Sequence, residues 1–215
     1  MTAKKKTIRT LVAVTVLAAA ASAMNARTAA DFLVEAPEDA LPLLSTNSRM
    51  DMLDYFRYGS DRSVTNRAGG NARILNESER TITFEVDSGV CAQLAVLVSG
   101  RDTVLALVST VASPALDSRL DFFRTDWQPL RRNPLSLPEY TDWLTDAGRD
   151  DIATVSRVLP FVPVEARFDS TATTLTLTSG ARTFLAPREY ESLRPMLVDS
   201  LVYDIKGNKF KLRKP

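Results

Sequence analysis

Four pieces of the span 81–130 decide the fold: Thr81-Ile-Thr-Phe-Glu-Val-Asp-Ser88, Cys91-Ala-Gln-Leu-Ala-Val-Leu-Val98, Thr103-Val-Leu-Ala-Leu-Val-Ser-Thr-Val111 and Ser118-Arg-Leu-Asp-Phe-Phe123. Each is rich in β-branched or aromatic residues and bounded by Gly, Ser, Asp or Pro, the pattern of consecutive strands. In the first, Ile82, Phe84 and Val86 alternate with Thr81, Thr83, Glu85 and Asp87, so one face is apolar and the other wet. The second and third are almost continuously apolar and are joined by Ser99-Gly100-Arg101-Asp102. That reads as a hairpin deep in the sheet. The span is an antiparallel meander around which the rest of the chain must pack.

Working outward from it toward the C-terminus, residues 131–138 carry Arg131, Arg132, Pro134 and Pro138 and read as an extended strap across the sheet. Residues 139–147 read as a helix with Tyr140, Trp143 and Leu144 inward and Gly148 as its stop. Pro160 and Pro163 interrupt the apolar run 155–164, which predicts a bulged or edge strand there. Residues 164–168 and 175–177 alternate as a hairpin, and Pro187 starts a helix over 187–194. Gly207-Asn208 is a two-residue hairpin loop. It sets Ile205 opposite Phe210, Tyr203 opposite Leu212 and Asp204 opposite Lys211. All seven lysines lie at positions 4–6 or from Lys206 onward, and those on the last strand guard an exposed edge.

Toward the N-terminus, Ser48 and Asp51 resemble a capping box and Gly59 a stop, which predicts a helix over 49–58. Met50, Leu53 and Phe56 mark its inner face, while Asp51, Asp54 and Arg57 face away, Asp54 and Arg57 standing at i,i+3. Val64-Thr65-Asn66 is a short strand and Gly69-Gly70 a turn. The expected fold class is α+β: a mostly antiparallel sheet, meander plus later hairpins, packed against a few short helices. The expected division is a signal peptide over 1–23 and a single domain over 24–215, with halves 24–130 and 131–215 as the alternative.

Lys4, Lys5, Lys6 and Arg9 precede the uncharged apolar run Leu11–Ala21 and the Ala21-Ser22-Ala23 cleavage pattern, as in a secretory signal peptide. The apolar run is shorter than the ~20 residues of a spanning helix. No cysteine follows it to carry a lipid anchor, and no later segment reads as transmembrane. The chain is therefore expected to be exported and soluble, in the periplasm or outside the cell. Removing residues 1–23 takes four of the 27 basic residues, leaving 23 against 26 acids, about −3. No attraction to nucleic acid follows from that balance.

The sequence has no histidine and a single cysteine, Cys91. Ser-His-Asp and Cys-His catalysis and His-ligated zinc are excluded, and no disulfide can form within the chain. No cofactor or metal is expected; a metal would have only carboxylate and carbonyl oxygens to bind. Cys91 lies in an apolar strand and is read as a buried, inert thiol. Thr65-Asn66-Arg67 before Gly69-Gly70 lacks the Gly-Lys-Ser/Thr ending of a phosphate loop and is read as a turn.

Residues 40–55 (Ala-Leu-Pro-Leu-Leu-Ser-Thr-Asn-Ser-Arg-Met-Asp-Met-Leu-Asp-Tyr), 64–70 (Val-Thr-Asn-Arg-Ala-Gly-Gly), 115–119 (Ala-Leu-Asp-Ser-Arg), Phe123 and 125–130 (Thr-Asp-Trp-Gln-Pro-Leu) form a pattern. It resembles a family of secreted proteins of unknown function from Bacteroidales bacteria. The resemblance implies a Gram-negative envelope setting and supplies no activity, cofactor or catalytic residue.

Three functions are weighed. The leading one is an exported, non-catalytic binding or interaction protein of the cell envelope, its partner an envelope protein, a peptide or a glycan. Its candidate binding residues are Arg49, Asp54, Tyr58, Asn66, Arg67, Asp117, Arg119 and Trp127, because polar and aromatic side chains cluster at the rims of the meander. The second is a carboxylate-dependent hydrolase of glycan or peptide, drawing on Asp51, Asp54, Asp117 and Asp121, which requires two acids ~5–10 Å apart in one cleft. The third is a carrier holding a lipid-like ligand between sheet and helices.

Overall fold

The computed structural model describes residues 27–99 and 102–213, with Ser99 and Asp102 described by their backbone alone. The signal pattern over 1–23, the Gly100-Arg101 turn and Lys214 lie outside the described residues.

Two antiparallel sheets carry the chain. The larger is a six-stranded meander: β1 (Val64–Thr65), β2 (Asn71–Glu77), β3 (Thr81–Asp87), β4 (Val90–Ser99), β5 (Asp102–Ala112) and β6 (Leu116–Arg124), in that spatial order. The smaller has β7 (Val164–Phe168), β8 (Thr174–Ser179), β9 (Ser200–Lys206) and β10 (Lys209–Leu212), β7 and β10 forming its edges. The fold is α+β, as expected from an uninterrupted run of strands grouped apart from the helices. Short helices fill the rest: α1 (Ala29–Glu35), α2 (Thr46–Arg57), α3 (Asp146–Asp150), α4 (Ile152–Val158), α5 (Ala181–Phe184) and α6 (Pro187–Leu193).

The apolar run of β4 and β5 is explained by burial on both faces. Leu94, Val96, Leu105 and Leu107 point into a core shared with α1 and α2. Ala95, Leu97, Val104, Ala106 and Val108 point the other way, into a core shared with the smaller sheet. Ser99 pairs with Asp102, so the predicted hairpin is present. A third core, around Leu144, Val155, Leu159 and Leu197, is built by the helices after residue 140.

Polar side chains dock the two sheets together. β7 is an edge strand whose outward N–H groups would be left bare in the interior. The Val164 N–H donates to Asp117 Oδ1 (3.1 Å) and the Ala166 N–H to Ser118 Oγ (2.9 Å). The Phe168 N–H donates to Gln93 Oε1 (2.8 Å), while Gln93 Nε2 donates back to the Phe168 carbonyl (3.0 Å). Gln93, only 8% exposed, is thus a two-pronged clamp inside a strand that otherwise reads as purely apolar.

Several local expectations are corrected. α2 starts a turn earlier than predicted, capped by Ser45, whose Oγ accepts from the Ser48 N–H (3.1 Å). Its inner stripe is Arg49, Met52, Leu53 and Phe56, the i,i+3,i+4,i+7 spacing, and Met50 is exposed. Arg57 pairs with Glu77 on β2 (2.5 and 3.1 Å). Thr81, expected on the wet face of β3, is buried and shares hydrogen bonds with Ser78. The predicted helix over 139–147 is a 3-10 turn (Tyr140–Trp143) followed by α3, and Gly148 lies inside α3 rather than ending it. A Cβ there would overlap the Met196 carbonyl, so close approach, not termination, demands glycine. Where a broken strand was expected, residues 152–158 are helical, because Asp151 caps them and Val155 and Leu159 share one face toward the third core. The C-terminal hairpin has the predicted register, Ile205 opposite Phe210 and Asp204 opposite Lys211. Asp204 nonetheless bonds to Arg213 (2.7 and 2.9 Å). Cys91 is half-buried rather than buried; burial, reinforced by the charge of Glu85, raises its thiol pKa and disfavours the nucleophilic thiolate.

The β7–β8 turn is organised by one carboxylate. Asp169 Oδ1 accepts from the Thr173 and Thr174 N–H groups (both 2.8 Å), and Oδ2 from the Thr171 hydroxyl (2.6 Å). Partial burial alone would raise the Asp169 pKa, but the hydrogen bonds from Thr171, Thr174 and Thr173 outweigh it and hold it below the ordinary value. Asp169→Ala should cost ~1–2 kcal/mol at neutral pH, by loss of these bonds. Because the folded pKa is depressed, this contribution is complete above the unfolded pKa of ~4 and disappears as pH falls through the folded value. Urea melts of wild type and variant should therefore differ at pH 7 and converge in strong acid. A gap independent of pH would contradict the assignment.

Candidate functional site

β6 is the terminal strand of the larger sheet, and the end of this strand is already extended by a stub. The Arg124 N–H donates to the Gln128 carbonyl (2.9 Å) and the Leu130 N–H to the Phe122 carbonyl (2.9 Å), with Phe123 bridged to Pro129. In an antiparallel ladder the residues facing a given neighbour alternate. The main-chain groups of Ser118, Leu120 and Phe122 therefore point away from β5. The N–H and C=O of Ser118 and of Leu120, and the N–H of Phe122, have no hydrogen-bond partner among the described residues.

Two clefts, both open to solvent, meet along this bare edge and share Arg119, Leu120 and Asp121. The first, about 750 Å³, is bounded by Asp39, Ala40, Leu107, Trp127, Gln128 and Asn133. The second, about 520 Å³, is walled by Leu137, Tyr140, Trp143, Phe161 and Val162. Its rim is unusually apolar for a surface, with Leu137 65% and Phe161 54% exposed. The wall is rigidly placed, since the Tyr140 hydroxyl donates to the Leu159 carbonyl (2.7 Å). Burial raises the pKa of that phenol and keeps it a donor.

The turn that returns the chain to β6 is strained. Trp127 has φ +61°, in the left-handed region that non-glycine residues rarely occupy. It is held there because its indole is 6% exposed, lies in the core shared with α1 and α2, and packs against Phe123 (centroids 5.3 Å apart). Its Nε1 has no hydrogen-bond partner among the described residues.

Of the residues singled out from the sequence, Asp117, Arg119 and Trp127 come together at these clefts. Arg119 pairs with Asp121 (2.9 and 3.1 Å), and one oxygen of Asp117 is committed to β7. The other five lie on or beside α2 and β1, across the sheet from β6. Arg49 is completely buried, donating to Thr46 Oγ1 (3.0 Å) with Nε and Nη1 unpartnered among the described residues, so it presents nothing to a surface ligand. Burial lowers its pKa, against the opposing charge of Glu38. Asn66 is also buried: its Oδ1 accepts from the Ala68 and Gly70 N–H groups (2.8 and 3.0 Å) and its Nδ2 donates to the Val86 carbonyl (2.7 Å), shaping a turn. Arg67 forms a two-pronged pair with Glu38 (2.5 and 3.0 Å), and Asp54 and Tyr58 are exposed.

Asp39, Gln128, Asn133, Leu137 and Phe161 were not singled out from the sequence. Leu137 and Phe161 did carry a signal. Each is a large apolar residue next to a proline in an irregular segment, with no strand or helix face on which to bury. Of the four acids proposed for hydrolysis, Asp117 and Asp121 of β6 both line the second cleft, each engaged by a partner, whereas Asp51 and Asp54 on α2 border neither cleft. The space between sheet and helices, required for a lipid carrier, is filled by Phe32, Leu33, Ile82, Phe84 and Leu94, each 2% exposed or less. Among the described residues no helix is long and apolar enough to cross a membrane, and no group of three or more Cys, Asp and Glu is placed to hold a metal ion.

No curated protein matches the chain. A solved structure, a domain of an uncharacterized protein from Porphyromonas gingivalis W83, matches with a TM-score of 0.71 and 22% identity, covering 85% of this chain and 97% of that one. At that identity the likeness establishes the fold. The source is a Bacteroidales bacterium, the group to which the sequence resemblance pointed. The family described as "Protein of unknown function (DUF3256)" matches residues 21–210, nearly the whole chain, and the protein belongs to that family.

Proposed function

We propose that this is an exported, non-catalytic binding protein of the bacterial cell envelope, taking its partner at the two clefts along β6. The observation that carries the reading is the meeting of an apolar-rimmed cleft and a polar one on the same unpaired strand edge. Sites that bind combine apolar area with a few placed polar groups. Asp51 and Asp54 lie away from the clefts, and of the two acids that share the second cleft, Asp121 is paired with Arg119 and Asp117 accepts from the Val164 N–H, which favours binding over hydrolysis. Export is supported by the basic, apolar and A-x-A segments of residues 1–23.

The two tryptophans make the reading testable, because Trp127 lines one cleft and Trp143 the other. Titration of the mature chain with separated glycan and peptide fractions of envelope material should give a saturable change in tryptophan fluorescence. Trp127→Phe and Trp143→Phe then assign the cleft, and Phe161→Asp should abolish the response. Absence of any response, or recovery of the uncleaved chain from the cytoplasm, would refute the proposal.

A further inference from the structure

We infer that the partner is an extended polypeptide that adds to β6 as a further strand, with apolar and basic side chains in alternation. This rests on the binding reading above and specifies its ligand. Strand addition requires a sheet edge with free donors and acceptors in register, and side-chain pockets on both sides of it. β6 offers five such main-chain groups between Ser118 and Phe122. Asp117–Asp121 carries no lysine or proline, and its charged side chains Arg119 and Asp121 are paired with each other. β7 reaches it only through the side chains of Asp117 and Ser118, so its outward main-chain groups stay unpaired among the described residues. On the smaller sheet, by contrast, the β10 edge carries Lys209 and Lys211, and the β7 edge is satisfied by Asp117, Ser118 and Gln93.

The internal stub shows how a guest would lie. Gln128–Leu130 occupies the rank beside β6 opposite Phe122–Arg124, and among the described residues no main-chain hydrogen bond is made opposite Ser118–Asp121, with β7 touching the near end through the side chains of Asp117 and Ser118. A guest of about five residues fills that length at ~3.4 Å per residue. Its successive side chains point to opposite faces, so one set enters each cleft. The second cleft, with Leu137 and Phe161 exposed beside Trp143, takes the apolar set. The first is lined by Asp39, Asp121 and Asp126, with Arg119 paired to Asp121 and Arg124 to Asp126; three carboxylates against two guanidinium groups leave it net acidic, and it takes the basic set. A glycan would use the polar cleft but would leave the main-chain row and the apolar rim unmatched.

The probe is a displayed library of random eight-residue linear peptides, selected on the immobilised mature protein. Selection should enrich sequences that alternate apolar and basic residues. N-methylation of the best peptide at alternate amides, those facing β6, should weaken binding at least tenfold, while methylation of the intervening amides changes it less than threefold. On the protein side, Leu120→Pro removes one outward N–H without touching the ladder to β5 and should weaken binding at least tenfold. Leu120→Val keeps that N–H and should bind within threefold of wild type. If the proline variant does not fold, the methylation pattern decides by itself. Enrichment of no peptide, binding indifferent to the methylated register, or self-association of the chain through this edge would overturn strand addition. A fluorescence response to the glycan fraction alone would sink strand addition while leaving the binding reading intact. Silence toward both fractions would sink both.

Discussion

Gln93→Leu should destabilise the protein by ~2–4 kcal/mol, although it replaces a buried polar side chain by an apolar one of similar size. On hydrophobicity alone the exchange would be favourable, since Gln93 sits between Ala92 and Leu94 in the middle of β4. The decisive term is what it leaves behind. The Phe168 N–H and C=O lie in a residue 2% exposed, and Gln93 satisfies both. Each group stranded without a partner costs ~1–3 kcal/mol, and the gain from the leucine offsets part of that. Urea denaturation should give the lower stability with an unchanged slope, and hydrogen exchange should place the loss at Phe168 and the β7 edge. A cost below ~0.5 kcal/mol, within the range of an inconsequential substitution, would mean that the clamp is dispensable.

The Trp127→Ala variant should lose ~3–5 kcal/mol, the usual cost of emptying a buried aromatic site. The backbone angle supplies a second and sharper comparison. Alanine at φ +61° retains the left-handed strain, whereas glycine does not. Trp127→Gly should therefore be more stable than Trp127→Ala by ~1 kcal/mol, despite the greater freedom that glycine has in the unfolded chain. Both variants lack the indole, so the difference between them reads the strain net of glycine's extra freedom in the unfolded chain. Thermal melts of the two side by side measure it. If glycine is the worse of the pair, the turn is not strained, and the burial of Trp127 is the whole account.

The larger sheet was legible because its strands follow one another in space as in sequence. β3 through β6 need only short turns and an alternating or doubly buried pattern, both local properties. The second hairpin, β7–β8, was equally readable. The helices were less so. In α2 the true inner stripe begins with Arg49, and a reading that assigns charge to the outside keeps Leu53 and Phe56 but puts Met50 in place of Arg49 and misses Met52. The run 155–164 holds two prolines and several valines, which resembles a damaged strand. What makes its first part helical is the third core, built from residues far along the chain, Leu185, Leu193 and Leu197 among them.

The site divides in the same way. Asp117, Arg119 and Trp127 were singled out because polar and aromatic residues stood together at one end of the meander, and these three do meet at the clefts. Arg49 and Asn66 looked similar by composition, yet both are buried in structural roles. Sequence carries the chemistry of a side chain but not the side of the molecule to which it turns.

By itself, then, the sequence determined the α+β class, the meander, and the C-terminal hairpin down to its register. A two-residue loop at Gly207-Asn208 admits one pairing that keeps Tyr203 and Ile205 on the buried face. Only the tertiary structure decided that β6 ends the sheet with part of its edge unpaired, that Gln93 clamps β7, and that Leu137 and Phe161 stand exposed beside that edge. The physical reason is range. Turn geometry and periodicity act over a few residues, whereas an unpaired edge is defined by which distant segments fail to cover it.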